Sequence, residues 1–393
     1  MVKRLVLSLA LGLSMLAGCA PEPDDDDAAT NISDPMDASD SGSASDPSGA
    51  ESDTSDTTDA TDAADSSETT PIEERRCDTI TSSITDAGLS DRVTVRCDES
   101  YAFIGGDTYP QHDVMNGITG TNEQIPVPAP GYEAPIPLEP QRATAVTTRD
   151  SALGIAINGV PIYDYTAGGD ITMDADGNAE YDPRLDTVII GQLDNCGGHS
   201  GRGDDYHYHK EPNCMIALLA NKDDNPIIGW AFDGYPIYGS TNPNGTEIVP
   251  GTLEPCHGQP DDVFGYRYHT SDTQPYIIKC LRGVVDESIL PRVSPFRDGG
   301  TPIEVEDLQY TTSAEANGTE TRRLAYSYRD TEYYIEYQTR SDTDYCFNVE
   351  AEMCASRQGN CAGLSQDECL CRSLPSGESA PQGCTTPGGG SGK

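Results

Sequence analysis

The stretch Gly154-Ile-Ala-Ile-Asn-Gly-Val-Pro-Ile-Tyr163 decides the fold, because it recurs as Gly229-Trp-Ala-Phe-Asp-Gly-Tyr-Pro-Ile-Tyr238. Each copy places two short runs of strand-forming residues around an Asn-Gly or Asp-Gly pair, which is the strongest short sequence signal for a tight β-hairpin. The repetition predicts a β-unit that occurs twice in the chain.

The residues that follow each copy also recur in the same order. The first copy is followed by Asp194-Asn-Cys196-Gly-Gly-His199, Tyr206-His-Tyr-His209 and Cys214. The second copy is followed by Glu254-Pro-Cys256-His257, Tyr266-Arg-Tyr-His269 and Cys280. We therefore expect two repeats, at about 154–214 and 229–280, each with two strands, a Cys/His loop and a third strand. Two such halves would form a pseudo-twofold fold in which each covers the apolar face of the other.

The composition excludes some classes of partner. Among 393 residues, 66 are Asp or Glu and 24 are Lys or Arg, which gives a formal net charge of −42. Nucleic-acid binding requires clustered basic residues, so it is excluded, and docking on anionic lipid head groups is disfavoured. The hydrophobic fraction of 35% lies below the usual range of about 45–50%, so the chain is not one globule throughout.

The N-terminus predicts a lipid-anchored protein. Lys3 and Arg4 precede the apolar run 5–17, which is too short to span a bilayer. The following Leu16-Ala17-Gly18-Cys19 resembles the lipobox of bacterial lipoproteins, which implies a signal peptide over 1–19 and lipidation of Cys19. Ala20 after the cysteine implies outer-membrane sorting, with the lipid as the sole membrane contact. The alternative is an ordinary secretory signal with a chance cysteine.

Residues 20–76 are dominated by Asp, Ser, Thr and Ala, with 18 acidic and 2 basic residues. Such a segment buries too little apolar surface to offset its ordering entropy, so we expect a disordered linker that holds the folded part away from the membrane. An acidic arm that collects Ca²⁺ is the alternative.

Histidine is rare in this chain and is concentrated in the repeats. Five of the six histidines lie there: His199, His207, His209, His257 and His269. Side chains alternate along a strand, so His207 and His209 share one face, and His199 can supply a third imidazole. By pseudo-symmetry, His257 and His269 are candidates to join this set or to form a second half-site. Three or four imidazoles suit a transition metal such as copper or zinc. Buried polar networking and acid–base catalysis are the alternative roles.

The Tyr206-His-Tyr-His209 motif, the preceding Cys196-Gly-Gly-His199 and the two decapeptide copies resemble the YHYH domain family. The resemblance covers about residues 93–285 and implies a secreted or surface bacterial protein, with no settled activity. One departure is Arg267, where the motif would have a second His. On this basis we assign residues 77–340 to a YHYH domain.

The thirteen cysteines favour an oxidising compartment. With Cys19 lipidated, twelve remain, and the favoured disulfide partners are Cys77 with Cys97, Cys196 with Cys214, and Cys256 with Cys280. Metal ligation by the thiolates of Cys196 and Cys256 is the alternative. Six more cysteines within 341–384 predict a small disulfide-rich module that contacts a protein partner, with zinc binding as its alternative. Residues 385–393 are predicted to be a flexible tail.

The fold class predicted from these features is mainly β. It comprises a pseudo-duplicated β-sandwich or barrel-like domain with Gly/Pro-rich loops, followed by the cysteine-rich module. No segment of 12 or more residues shows a convincing helical period, although residues 214–222 are consistent with a short helix. The leading functional hypothesis is a surface lipoprotein that captures, stores or delivers a metal ion. The alternatives are a non-catalytic structural or adhesive surface module and a metal-dependent enzyme of unknown reaction.

Overall fold

The computed structural model describes residues 72–169, 171–172, 174, 180–201, 204–293, 302–354, 364–372, 374 and 377–386. The expected signal peptide with Cys19, nearly all of the expected linker, and the tail beyond residue 386 lie outside the described residues. The described residues all belong to one compact unit, Ser67–Lys393. No helix in the described part of the chain has the length and apolar character needed to cross a membrane.

Short strands dominate the secondary structure, as the density of β-branched and aromatic residues predicts. The helices are α1 (Ile72–Thr85) and α2 (Asn213–Leu218), with 3-10 turns at Lys222–Asp224 and Glu287–Ile289. The strands are β1 (Thr94–Cys97), β2 (Tyr101–Gly106), β3 (Gly120–Thr121), β4 (Tyr132–Pro137), β5 (Arg142–Thr147), β6 (Gly154–Ala156), β7 (Pro161–Ile162), β8 (Gly198–Ser200), β9 (Tyr206–Tyr208), β10 (Ile227–Ala231), β11 (Pro236–Tyr238), β12 (Gly258–Asp261), β13 (Gly265–His269), β14 (Leu281–Gly283), β15 (Ile303–Glu304), β16 (Glu306–Ala314), β17 (Glu320–Tyr328), β18 (Thr331–Thr339), β19 (Cys346–Met353), β20 (Leu364–Cys371) and β21 (Cys384–Thr385).

Helix α1 corrects the expectation that no long helix is present. It begins inside the segment assigned to the linker, and the Cys77–Cys97 disulfide links it covalently to β1. Ile80 and Ile84 lie one turn apart and are both buried in the core, and the indole N–H of Trp230 donates to the Ser83 hydroxyl at 3.0 Å. With so few apolar residues on its packed face, this helix gives a weak periodic signal in the sequence, and tertiary contacts stabilise it.

The repeats form one eight-stranded sheet of order β12-β13-β11-β10-β6-β7-β9-β8. Its centre is the antiparallel pair of β6 and β10, the first strands of the two repeats. On either side the same pattern follows: a hairpin, a parallel pair and a final antiparallel pair. The pseudo-twofold arrangement is therefore present. The two halves join edge to edge, and the expectation that they cover each other's apolar faces was wrong.

The tyrosines of both motifs belong to the core. Tyr206, Tyr208, Tyr266 and Tyr268 are fully buried, as is Trp230. Strand alternation therefore directs the Tyr residues of β9 to one face of the sheet and the His residues to the other. A separate sheet of order β1-β2-β4 and the two-stranded pairs β5–β14 and β3–β15 pack around this centre. The prediction of a mainly β fold is confirmed, although none of the described sheets closes into a barrel.

Strands β16–β21 form a six-stranded sheet, here called the C-terminal sheet. Strand β19 pairs with β18 along its length, so hydrogen bonding continues across the boundary expected at residue 341. Disulfides Cys346–Cys371 and Cys369–Cys384 join neighbouring strands of this sheet, and Cys354 is also disulfide-bonded. The disulfide-rich region of the prediction is thus the edge of a larger sheet.

Candidate metal centre

Strand register brings three of the predicted histidines together. His199 on β8 lies directly opposite His207 on β9, and His209 follows two residues later on the same face. The ring centroids are 4.9 Å apart for His199 and His207, 4.8 Å for His199 and His209, and 4.8 Å for His207 and His209. One nitrogen from each ring lies within 4.8 Å of the others. The three rings, hereafter the histidine cluster, form a nearly equilateral triangle of candidate metal ligands.

Backbone carbonyls fix the tautomers of two members of the cluster. His209 Nδ1 contacts the carbonyl oxygen of Asp164, and His207 Nδ1 lies 3.1 Å from the carbonyl oxygen of Asp205. A carbonyl only accepts, so each Nδ1 carries the proton and each Nε2 keeps its lone pair. His209 Nε2 lies 3.0 Å from His199 Nε2. The hydrogen bonds from each Nδ1 to a backbone carbonyl are those expected around metal-ligating imidazoles.

The histidine cluster is buried, with exposed fractions of 5% for His199, 4% for His207 and 1% for His209. Burial lowers the pKa of all three imidazoles, to about 4 for His209, and the neighbouring imidazoles lower the pKa of His199 and His207 further. The rings are therefore neutral at neutral pH. Neutral imidazole is the form that ligates a metal.

The surroundings of His207 hold its ring in place. The half-buried Tyr163 ring stacks on it with centroids 4.1 Å apart and an angle of 22° between the planes. Asp205 Oδ2 lies 3.8 Å from His207 Nδ1 and has no hydrogen-bond partner among the described residues. Burial raises the pKa of this carboxyl to about 6. Asp194, at the start of the Cys/His loop, accepts hydrogen bonds from the Tyr206 hydroxyl and nearby backbone amides.

His257 and His269 do not join the histidine cluster. In the second half, β12 pairs with β13 so that Gln259 lies opposite Arg267, as His199 lies opposite His207. His199 therefore corresponds to Gln259, and His209 corresponds to His269. His257 corresponds to Gly197, since both follow the cysteine and have positive φ, 72° and 89°. The sequence reasoning missed this because it equated His257 with His199.

A guanidinium occupies the equivalent position in the second half. Arg267 Nε donates to His269 Nε2 at 2.9 Å, and Nη2 donates to Asn242 Oδ1 at 2.9 Å. Nη1 forms an ion pair with Asp261. Gln259 also contacts His269 Nε2, at 3.0 Å. The Nε2 lone pair of His269, the equivalent of His209, thus points at the positively charged guanidinium of Arg267.

The cysteines of the repeats are not metal ligands. Cys196 is bonded to Cys214 and Cys256 to Cys280, so the three disulfide pairings favoured by the sequence are all present. Two other groups of potential metal ligands lie close together, but most of their members are disulfide sulfurs. They are His112 with Cys196 and Cys214, and Cys346 with Cys371 and Cys384. His112, which sequence reasoning left unassigned, lies 2.7 Å from the Tyr208 hydroxyl on the opposite face of the sheet.

One protein family matches the part of the chain that contains the histidine cluster. The family model described as YHYH protein matches residues 133–252. This region is a YHYH domain. The match contains the first repeat with the whole histidine cluster and ends before Cys256, so it is narrower than the resemblance seen in the sequence. No curated protein matches the chain, and no solved structure matches it.

Proposed function

We propose that the YHYH domain binds one transition metal ion, copper or zinc, through Nε2 of His199, His207 and His209. The observation that carries this proposal is the pseudo-twofold comparison. In the second half, the lone pair of His269 Nε2 accepts a hydrogen bond from the Arg267 guanidinium. In the first half, the equivalent His209 keeps the same orientation, but an imidazole replaces the guanidinium. A metal ion supplies the missing positive charge.

The donor set determines the class of metal. Three neutral imidazoles with no thiolate suit Zn²⁺ or Cu²⁺ better than Ca²⁺ or Mg²⁺, which prefer oxygen ligands. The bond from His209 Nδ1 to the Asp164 carbonyl and that from His207 Nδ1 to the Asp205 carbonyl orient both rings before the metal arrives. Three protein ligands leave a fourth position for water or an incoming ligand.

The proposed biological role is metal capture, storage or delivery at the bacterial cell envelope. The lipobox-like sequence ending at Cys19 supports lipid anchoring, probed by replacing Cys19 with Ser and following release of the protein from the membrane fraction. Disulfides persist in oxidising compartments such as the periplasm and cell surface, and those of this fold support the same location. The nearly neutral pH expected there keeps the histidine cluster unprotonated.

A purely structural role is the second candidate, supported by one contact. The distance of 3.0 Å between His199 Nε2 and His209 Nε2 also fits a hydrogen bond between two neutral imidazoles. In that case His199 Nε2 carries a proton that points at His209, and no metal binds. A hydrogen-bonded pair of imidazoles predicts no bound metal and no affinity for metal. Measurements of metal content and affinity therefore distinguish the two functions.

The test is elemental analysis of the purified protein, combined with calorimetric titration of Zn²⁺ and Cu²⁺ into metal-free protein. We expect about one ion per chain and a loss of binding in His199→Gln and His207→Gln. His269→Gln is the matched control, because it replaces a buried histidine outside the histidine cluster and retains an acceptor for Arg267. Substoichiometric metal, or equal binding by all three variants, would contradict the proposal.

A further inference from the structure

The C-terminal sheet has a long free edge. This edge is β16, a strand of nine residues, Glu306–Ala314. It pairs with β17 on one side and with no strand of the described residues on the other. The other strands that end a described sheet are shorter, with between two and six residues. An unprotected edge of this length is a template for pairing with a further strand.

The hydrogen bonds of the β16–β17 hairpin show which backbone groups of β16 point outward. Residues of an antiparallel strand alternate between those that bond the partner strand and those whose N–H and C=O groups point away from it. The Glu315 amide donates to the Thr319 carbonyl at 2.8 Å, so every second residue back from Glu315 bonds β17. Glu320, opposite the last residue of β16, accordingly donates its amide to Thr339 on β18. The residues of β16 that point outward are Tyr310, Thr312 and Ala314.

Strand β16 lacks the features that usually protect an edge. From Leu308 to Ala314 it contains no charged side chain and no proline, in a chain with a formal net charge of −42. Residues 311–314 are exposed on both faces of the strand. The register shift that would hinder pairing is confined to the start of the strand, between Glu306 and Gln309. The rest of the edge is therefore open to a further strand.

The sequence of this edge is complementary to a second copy of itself. When Thr312 lies opposite its counterpart in an antiparallel copy, Tyr310 lies opposite Ala314, and Thr311 lies opposite Ser313. All three outward-pointing residues are then paired, with about six backbone hydrogen bonds, two for each pair. Threonine–threonine and threonine–serine pairs directly opposite each other stabilise a sheet.

The acids next to the edge also favour this register. Glu315 lies opposite Gln309 of the copy, so no acid faces an acid there. A shift by two residues is the smallest that keeps the outward groups paired. In one direction it brings Asp307 opposite Glu315, where like charges repel. In the other direction it brings Tyr310 opposite Ala316, which lies in the turn beyond the strand.

We propose that β16 is an interaction surface for a second copy of this protein. The two copies join by antiparallel pairing of their β16 strands about Thr312, which unites the two six-stranded sheets. A single strand pair forms a small interface, so the dimer is transient and its population rises with protein concentration. Strand β16 contains no residue of the histidine cluster, and the proposal is independent of metal binding.

The test is sedimentation equilibrium of the full chain at concentrations from about 1 μM to about 1 mM, the range that covers weak interfaces. The chain carries Cys19→Ser so that a lipid does not cause association, and EDTA excludes dimers bridged by metal. We expect a monomer–dimer equilibrium. Thr312→Pro should weaken it by at least about tenfold, because it removes the central outward N–H from each copy. The bonds to β17 are retained, since an outward N–H on an edge strand is where proline is tolerated.

Thr312→Val is the matched control, because it keeps the backbone amide and the β-branched shape, and it should dimerise as the unsubstituted chain does. A charge exchange tests the register. Thr312→Lys and Thr312→Glu each place like charges opposite each other, so each alone should remain monomeric, whereas their equimolar mixture should dimerise.

The charge exchange also decides the matter if Thr312→Pro fails to fold. A chain that stays monomeric over the whole concentration range would overturn the proposal, and the edge would then be left for a strand of another protein. A dimer that folded Thr312→Pro leaves unchanged would overturn it as well. So would a mixture of Thr312→Lys and Thr312→Glu that associates no more strongly than either variant alone.

Discussion

His207 is enclosed on the side of Gly201, where the chain passes close to its ring. An ideal Cβ added to Gly201 would lie 2.3 Å from His207 Cε1, well inside van der Waals contact. Tyr163 stacks on the ring, so the imidazole has little room to move away. The absence of a side chain at position 201 is therefore a condition for the geometry of the histidine cluster.

Gly201→Ala should accordingly weaken metal binding by about 10- to 100-fold, the effect typical of disturbed metal-site surroundings. Calorimetric titration with Zn²⁺ measures it. Gly239→Ala is the control, because its added Cβ would meet only Glu211 Oε2 at 3.6 Å, an ordinary contact. Equal affinities of the two variants would show that the ring position of His207 does not matter for binding.

The sequence indicates which histidines come together as candidate ligands, but not how their rings are oriented. Alternation along a strand places His207 and His209 on one face, and the spacing of the repeats brings His199 opposite them. The tautomer of His209 depends on the carbonyl of Asp164, which is 45 residues away in the chain. No local pattern in the sequence encodes such a contact.

At the scale of elements, the sheet shows which parts of the repeat are equivalent. The central β6–β10 pair relates the halves, so the positions of His199, His207 and His209 correspond to Gln259, Arg267 and His269. The repeated decapeptides predicted the duplicated strands because both copies keep the same hairpin signals. They did not predict edge-to-edge joining, since buried hairpins of this composition can pack in either way. His257 was wrongly matched with His199. It lies at a position with left-handed backbone conformation, where the first copy has Gly197.

This correspondence predicts that a second metal site can be built. In the double variant Gln259→His/Arg267→His, the two new imidazoles and His269 would form a second cluster of three in place of the guanidinium. Metal content should then rise from about one to about two ions per chain. Gln259→His alone is the control, because Arg267 still occupies the position, and it should stay at about one. A folded double variant that binds no additional ion would mean that the two halves are less equivalent than their strand register suggests.

At the scale of the whole molecule, the C-terminal sheet contacts the connection between β8, which carries His199, and β9, which carries His207. The Tyr337 hydroxyl donates to Asp204 Oδ2 at 2.8 Å, and Arg372 Nη2 lies 3.3 Å from the Asp204 carbonyl oxygen. Asp204 also accepts from the Ile125 and Val127 amides, at 3.0 and 2.7 Å. The next residue, Asp205, provides the carbonyl that orients His207. The two parts of the chain are therefore joined beside the candidate metal centre.

Tyr337→Phe should lower the free energy of unfolding by about 1–3 kcal/mol, because it removes a hydrogen bond from a buried carboxylate. Urea unfolding followed by circular dichroism measures the change. Tyr334→Phe is the matched control in the preceding part of β18: its hydroxyl donates to Glu350 near the surface, so a change below about 0.5 kcal/mol is expected. Equal effects of the two substitutions would argue against a stabilising role for the contact with Asp204.

The sequence predicted less at this scale, for two physical reasons. The abrupt increase in cysteine after residue 341 indicated a separate module, whereas backbone pairing of β18 with β19 depends on non-local register that composition does not reveal. Helix α1 was missed because its stability comes from contacts with distant residues such as Trp230. Disulfide partners were easier to predict, since corresponding cysteines bracket corresponding strands in the two repeats.

The most direct test of the central claim is anomalous diffraction from crystals of the protein loaded with Zn²⁺ or Cu²⁺. We expect one peak within the histidine cluster, from an ion bonded to Nε2 of His199, His207 and His209 at about 2.0–2.1 Å. A peak elsewhere would contradict it. So would loaded crystals without a peak in which His199 Nε2 and His209 Nε2 remain hydrogen-bonded at 3.0 Å.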